Sequence, residues 1–372
     1  MVKRPSTRAR AAQWLLLAAL VAVAWYLGSM AAANMSRRHA GFSFGFLADD
    51  TNFDIPFRLI SWSVGDTYAR ALLVCLLNTL LVSAMSIVAA TLLGLLVGVM
   101  RLSTNWLVRN IALAFIELVR NTPQLVQIIF WYVAVLQTLP GPRQSILLPF
   151  GVLLNIRGFY LPSLVGNGMA NTLWPLALVL LLVTPFVWRI RLHDFPLGAK
   201  SLLLLLPLAL LLLATGVDHL DWPALHGFNI AGGVQVVPEL VALWAGLSIY
   251  GAAFIAEIVR AAILSVHKGQ REAALSLGLK PRQVLTKIIL PQALRVMIPP
   301  TTSQYLNIIK SSSLGAAVAY PELFQIFAGT VLQQTARETE TMVILMAIFL
   351  SINLATSALM NWYNHRVALV RR

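Results

Sequence analysis

The sequence predicts an all-α polytopic membrane protein, and three observations predict it. Of its 372 residues, 58% are hydrophobic and 11% charged, where soluble domains carry about 25% charged residues. The apolar residues run in long blocks, and a helix needs about 20 of them to cross the hydrocarbon core. The basic residues collect in alternate connections between the blocks, as they do on the cytoplasmic side of membrane proteins. Together these exclude a disordered chain and disfavour a soluble enzyme. The excess of 28 basic over 14 acidic residues, a net +14, follows topology and needs no nucleic acid.

The spans can be taken in order, about eight in all. The first, 12–33, follows Lys3, Arg4, Arg8 and Arg10. Its apolar run exceeds that of a signal peptide, so it is expected to be retained. Segment 34–70 is mixed, Asp49, Asp50, Asp54 and Asp66 offsetting Arg37, Arg38, Arg58 and Arg70. Spans 71–100 and 111–139 flank a connection with Arg101 and Arg109. Spans 173–190 and 201–217 flank one with Arg189, Arg191 and Lys200. The 218–237 connection has Asp218 and Asp221 and no Lys or Arg. Span 238–260 leads to the basic loop 261–296, with Lys268, Arg271, Lys280, Arg282, Lys287 and Arg295 against Glu272. Span 297–320 contains Pro299, Pro300, Asn307, Lys310 and Ser311–Ser313. A lysine there is costly in lipid, so this helix is expected inside a bundle and broken near Lys310. The last span is 341–363, followed by Arg366, Arg371 and Arg372. Both termini are expected in the cytoplasm.

The 261–296 loop carries the strongest local signal. Glu272–Leu277 are mostly good helix formers. Gly278 can take the left-handed conformation that ends a helix, and Pro281 suits the first turn of the next. In that second helix Val284, Leu285, Ile288 and Ile289 share a face. The reading is an amphipathic helical hairpin at the cytoplasmic surface. Its residue types alone fit a lipid-surface anchor as well as a docking site for protein.

The spacing Glu272-Ala273-Ala274, three residues, Gly278, nine residues, Ile288-x-Leu290-Pro291 resembles the signature loop of the inner-membrane permease subunits of bacterial ABC importers. Glu117–Leu125, Ala256–Ala262 and Asn307–Leu314 are similar to the polar amino acid permeases, with Asn121 where that family usually has Gly. The resemblance covers about 68–139 and 239–365. The leading helix and the insert look like the general L-amino acid transporters of Gram-negative bacteria. The chain thus divides into 1–67 (tail, first helix and periplasmic loop), 68–139 (first part of a permease core), 140–238 (insert with two extra spans) and 239–372 (second part, with the loop 261–296).

The resemblance implies a five-helix type I ABC importer (MetI-like) core in the bacterial inner membrane. It implies a second permease across a pseudo-two-fold axis, a heterodimer being favoured because this chain carries unusual additions. It also implies a cytoplasmic ABC ATPase dimer in contact with Glu272, Ala273, Ala274, Gly278, Ile288, Leu290 and Pro291, and a periplasmic amino-acid-binding protein. The chain has no GxxxxGK[ST] phosphate loop, so it is expected not to be an enzyme and to hold no cofactor, ATP and Mg being bound by the partner.

Substrate-pathway candidates come from two Glu-x-x-Arg pairs. Glu117 and Arg120, and Glu257 and Arg260, each share a helix face. A zwitterionic amino acid needs an acceptor for its ammonium and a donor for its carboxylate, and Arg can grip a carboxylate in two places. Structural salt bridges are the competing reading, and Glu257, the deeper carboxylate, is the leading candidate. Gln124, Tyr250 and Lys310 are further pore-lining candidates. Other signals carry less chemistry. Asp49, Asp50 and Asp54 lack a second acidic cluster, the six histidines form no metal motif, Cys75 is a packing residue, and the tryptophans sit near span ends. The alternatives are another small polar solute, such as an opine, and an ion-coupled secondary transporter.

Overall fold

The computed structural model describes residues 7–37, 42–166, 217–227 and 229–367. Among them, four helices are long and apolar enough to cross a membrane, within α1 (Thr7–Arg37), α2 (Tyr68–Arg101), α5 (Pro238–Leu264) and α10 (Glu338–Val367). These match the spans expected at 12–33, 71–100, 238–260 and 341–363. The spans expected at 173–190 and 201–217 lie outside the described residues, save Val217, which opens a strand.

The centre of the bundle is the seam between α2 and α5. Trp244 Nε1 donates to Met85 O at 3.3 Å. Further along, a Cβ built on Gly94 would lie 2.7 Å from Ile255 Cβ and 2.9 Å from Ala252 O, and one on Gly98 would lie 2.8 Å from Ala256 O. The matched progression makes the two helices parallel. Ala90, Gly94 and Gly98 recur every four residues on the buried face of α2, so the backbones meet without side chains between them. Such small residues drive helix association where lipid removes the hydrophobic contrast. Thr67 caps α2 by accepting from Arg70 N, and Pro238 takes the N-terminal turn of α5, where its missing N–H costs nothing.

The span expected as one helix over 111–139 is two. α3 covers Trp106–Arg120, and α4 (Gln124–Ile129) continues into a π-helical turn, Phe130–Leu136. Pro123 causes the break, because it removes an N–H and biases Thr122 away from helix. Gln127 repairs it, donating from Nε2 to Val119 O at 2.9 Å and Thr122 O at 3.1 Å. Backbone freed at membrane depth needs partners of this kind.

The expected span 297–320 begins earlier, as α8 (Leu290–Ser311), and passes at Ser312 into a 3-10 turn, Ser312–Val318. This is the change of geometry expected near Lys310. Pro291 sits in the first turn of α8 and does not end it. Beyond the turn come a π-helical segment Gln325–Val331, α9 (Leu332–Thr335) and α10.

The insert adds strands that the helical reading of the sequence omitted. β1 (Ile146–Leu148), β2 (Val152–Asn155), β3 (Gly158–Leu161) and β8 (Val234–Val236) form an antiparallel sheet in that order. β4 (Ser163–Gly166) pairs β5 (Val217–Asp221), and β6 (Ala224–His226) pairs β7 (Asn229–Ala231). These strands are too short to alternate visibly in an apolar sequence. β8 feeds directly into α5, which places the sheet at the N-terminal end of that span.

Segment 42–67 is more than a connection. Phe46, Ile55, Trp62 and Tyr68 are buried in one cluster with Leu323, Phe327, Val331 and Leu345.

Candidate functional site

Two regions carry the residues singled out by the sequence. The first is the hairpin. α6 (Lys268–Ser276) starts at His267, whose Nδ1 accepts from Gly269 N. It ends in a closed C-terminal motif, with Gly278 N donating to Leu275 O at 2.9 Å and Leu279 N to Ala274 O at 3.2 Å. Gly278 has φ +80°, a conformation that costs other residues about 1–2 kcal/mol. The spacing now has a physical reason. Ala274 supplies the carbonyl reached by the residue after the glycine, and its buried methyl group lets the turn close. Pro281 opens α7 (Pro281–Gln283), and Gln283 Oε1 accepts from Lys280 N at 2.9 Å.

The chain then runs through a π-helical turn, Val284–Ile289, straight into α8. Val284 is buried, Ile288 and Ile289 are half-buried, and Leu285 is exposed. Gln270 on α6 is hydrogen-bonded to Gln292 in the first turn of α8, and Gln292 Nε2 also donates to Ile288 O. The hairpin is thus tied to the base of a bundle helix. Its tip is apolar, and Leu277 is 82% exposed. Glu272, Ala273 and Leu290 are exposed and Pro291 half-buried. Glu272 lies beyond the first turn of α6, so it is not an N-terminal cap.

The second region lies in the bundle, on one face of α5. Tyr250 and Phe254 are in contact, with ring centroids 4.9 Å apart and the ring planes tilted by 48°. One turn further, Glu257 pairs with Arg260, Nε lying 3.1 and 3.0 Å from the two carboxylate oxygens. From the end of α3, Arg120 sets its Cζ 5.2 Å from the centre of the Phe254 ring. A guanidinium over an aromatic face is attracted by the ring quadrupole.

The structure therefore brings Arg120, Tyr250, Glu257 and Arg260 together and forms no ion pair between Glu117 and Arg120. Glu117 is exposed and accepts from Asn121 Nδ2 at 3.2 Å. Asn121 has φ −87°, open to any residue, so its departure from glycine costs nothing. Gln124 is half-buried beside the break, its Nε2 buried without a hydrogen-bond partner among the described residues. Lys310 is exposed in the last turn of α8, and among the described residues no hydrogen bond or ion pair joins it to the cluster. Phe254 was missed, although its spacing from Tyr250 and Glu257, i+4 and i−3, was the available signal. No group of acidic, histidine or cysteine side chains among the described residues could hold a metal.

Comparison with known proteins places these features. YhdX of Escherichia coli (strain K12) is 45% identical over 384 residues, covering 99% of this chain and 96% of the relative. The general L-amino acid transport system permease protein AapQ of Rhizobium johnstonii is 40% identical, covering 99% of this chain and 94% of the relative. The glutamate/glutamine/aspartate/asparagine transport system permease protein BztB of Rhodobacter capsulatus is 37% identical, covering 96% and 92%. Residues 90–369 match the family model described as the binding-protein-dependent transport system inner membrane component. A bundle with broken helices, an exposed hairpin keyed to its base and a match over most of its length make this chain a member of that family of ABC transporter permeases.

Proposed function

We propose that the chain is the translocation subunit of an importer for L-amino acids, powered by a separate cytoplasmic ABC ATPase that binds the hairpin. The hairpin carries this reading. It is an apolar tip on a rigid turn, fastened through Gln270 and Gln292 to α8, so a push on the tip moves a bundle helix. A periplasmic binding protein delivers the solute, and a second, different permease completes the pathway. The termini lie in the cytoplasm, and ATP and Mg stay on the ATPase.

Arg120, Tyr250, Phe254 and Glu257 line the substrate path. Among the described residues Arg120 makes no ion pair, and it is offered to a substrate carboxylate, where bidentate hydrogen bonds are strong. The Glu257 carboxylate, held in place by Arg260, faces the substrate ammonium. Relatives named for amino acids support this class over opines.

The test is uptake of radiolabelled amino acids by proteoliposomes holding the complete complex, with the binding protein added outside. ATP-dependent uptake that falls in Glu257→Gln while the ATPase still co-purifies is the expected result. Normal uptake kinetics in Glu257→Gln would remove that residue from the path. Uptake that follows an imposed ion gradient without ATP would overturn the whole reading.

A further inference from the structure

The charges around the α5 cluster do not balance. Glu257 is its one carboxylate, and Arg260 Nε reaches both of its oxygens. Two more guanidinium groups act on the same carboxylate through space, Arg120 from the end of α3 and Arg101 from the last turn of α2. Packing explains the placement of Arg101. α2 comes up against the backbone of α5 where Gly98 faces Ala256 and Val259, and Arg101, three residues on, shares that side of the helix. Arg101 is half-buried, and among the described residues it makes no ion pair.

No further carboxylate on the neighbouring helices offsets these groups. α2, α4 and α8 all pack on α5 and contain no Asp or Glu. Glu239 lies in the first turn of α5, at its far end, and accepts from the Tyr132 O–H. Glu117 on α3 is exposed and turned to Asn121. Three guanidinium groups against one carboxylate leave an uncompensated positive charge. The Glu257 and Arg260 side chains are each 31% exposed, so a solute can reach the cluster, yet water screens it less than an open surface.

That excess sorts amino acids by side chain. An uncharged side chain on a zwitterion leaves it as it is. A basic side chain adds to it, and an acidic side chain takes one charge away. The roles are already divided: Arg260 holds Glu257, Glu257 faces the ammonium and Arg120 the main-chain carboxylate. Arg101 is the guanidinium left over.

We propose that the path selects by charge, favouring L-amino acids with a carboxylate side chain, and that Arg101 receives this second carboxylate. The proposal rests on the translocation reading and names the substrate class of the same cluster.

The test is equilibrium binding of radiolabelled L-glutamate and L-glutamine to the complete complex in nanodiscs, without binding protein, with ATP-dependent uptake measured on the same preparation. The two ligands match in size and differ in charge. Wild type is expected to hold glutamate more tightly than glutamine by about tenfold, the scale of one charge acting over about 10 Å near a protein surface. Arg101→Gln brings the two affinities close to parity by weakening glutamate alone, and Arg101→Lys, which keeps the charge, retains most of the preference. Each ratio is internal to one preparation, so a general loss of stability does not imitate the effect, and Arg101→Lys with wild type carries the test if Arg101→Gln fails to assemble. Equal affinities in wild type, or an unchanged ratio in Arg101→Gln, overturn the proposal. So does a complex that takes up amino acids but binds glutamate no better than glutamine at millimolar concentration. All three leave the translocation reading standing, whereas absence of ATP-dependent uptake of any amino acid strikes that reading itself.

Discussion

The hairpin and the α5 cluster are held by different means. At the hairpin, backbone conformation does the work, with Gly278 at φ +80° and two main-chain bonds closing the turn. At the cluster, regular helices bring side chains together, and the pairing of each charge depends on which helix face it meets. The first depends on one backbone conformation. The second depends on the charge and shape of individual side chains. A backbone requirement leaves a fixed spacing in the sequence, whereas a side-chain pairing across helices does not.

Variants test this contrast in descending order of effect. Gly98→Leu strikes a backbone requirement in the bundle itself. Even a single Cβ there would meet Ala256 O at 2.8 Å and Val259 Cβ at 2.8 Å, and overpacking costs about 1–3 kcal/mol before backbone displacement is added. Detergent-extracted Gly98→Leu is expected to give no monodisperse peak in size-exclusion chromatography, and a normal peak would refute the close seam.

Gly278→Asp comes next. Nothing lies within 4 Å of a Cβ at this position, so the residue fits, and Asp tolerates the left-handed region better than most. Membrane level and melting temperature are expected to stay near wild type while uptake disappears. Unfolding of this variant would show instead that the turn matters for stability rather than docking.

Arg120→Ala removes a charge that the cluster supplies to the substrate. Hydrogen bonds to charged groups contribute about 1.5–3 kcal/mol, so kcat/KM for uptake should fall by about tenfold to a hundredfold, with Arg120→Lys recovering little of it. An unchanged kcat/KM would take Arg120 out of the path. The smallest effect belongs to Phe254→Leu, which keeps bulk and deletes the π face beneath Arg120. A cation–π contact is worth about 0.5–2 kcal/mol, so KM should rise severalfold with the ATPase contact intact.

What the sequence revealed follows the same division. The hairpin was legible residue by residue, because Ala274, Gly278 and Pro281 each answer to a local geometric demand. The long spans α1, α2, α5 and α10 were legible because lipid imposes length and apolarity. The break at Pro123 was missed although Arg120-Asn121-Thr122-Pro123-Gln124 interrupts the apolar run, and its repair by Gln127 depends on a contact eight residues away. The strands of the insert were missed because strands of three to five residues are too short to show a period. The Glu117–Arg120 spacing suggested a pair, yet Arg120 turned to Phe254 on another helix, a choice that local spacing does not encode.

The most direct measurement is ATP hydrolysis by the assembled complex in nanodiscs, with and without substrate-loaded binding protein, for wild type and Gly278→Asp. The account predicts stimulation by the loaded binding protein in wild type and none in the variant, with the permease equally abundant in both. Full stimulation in Gly278→Asp would contradict the claim that this hairpin transmits the work of the ATPase.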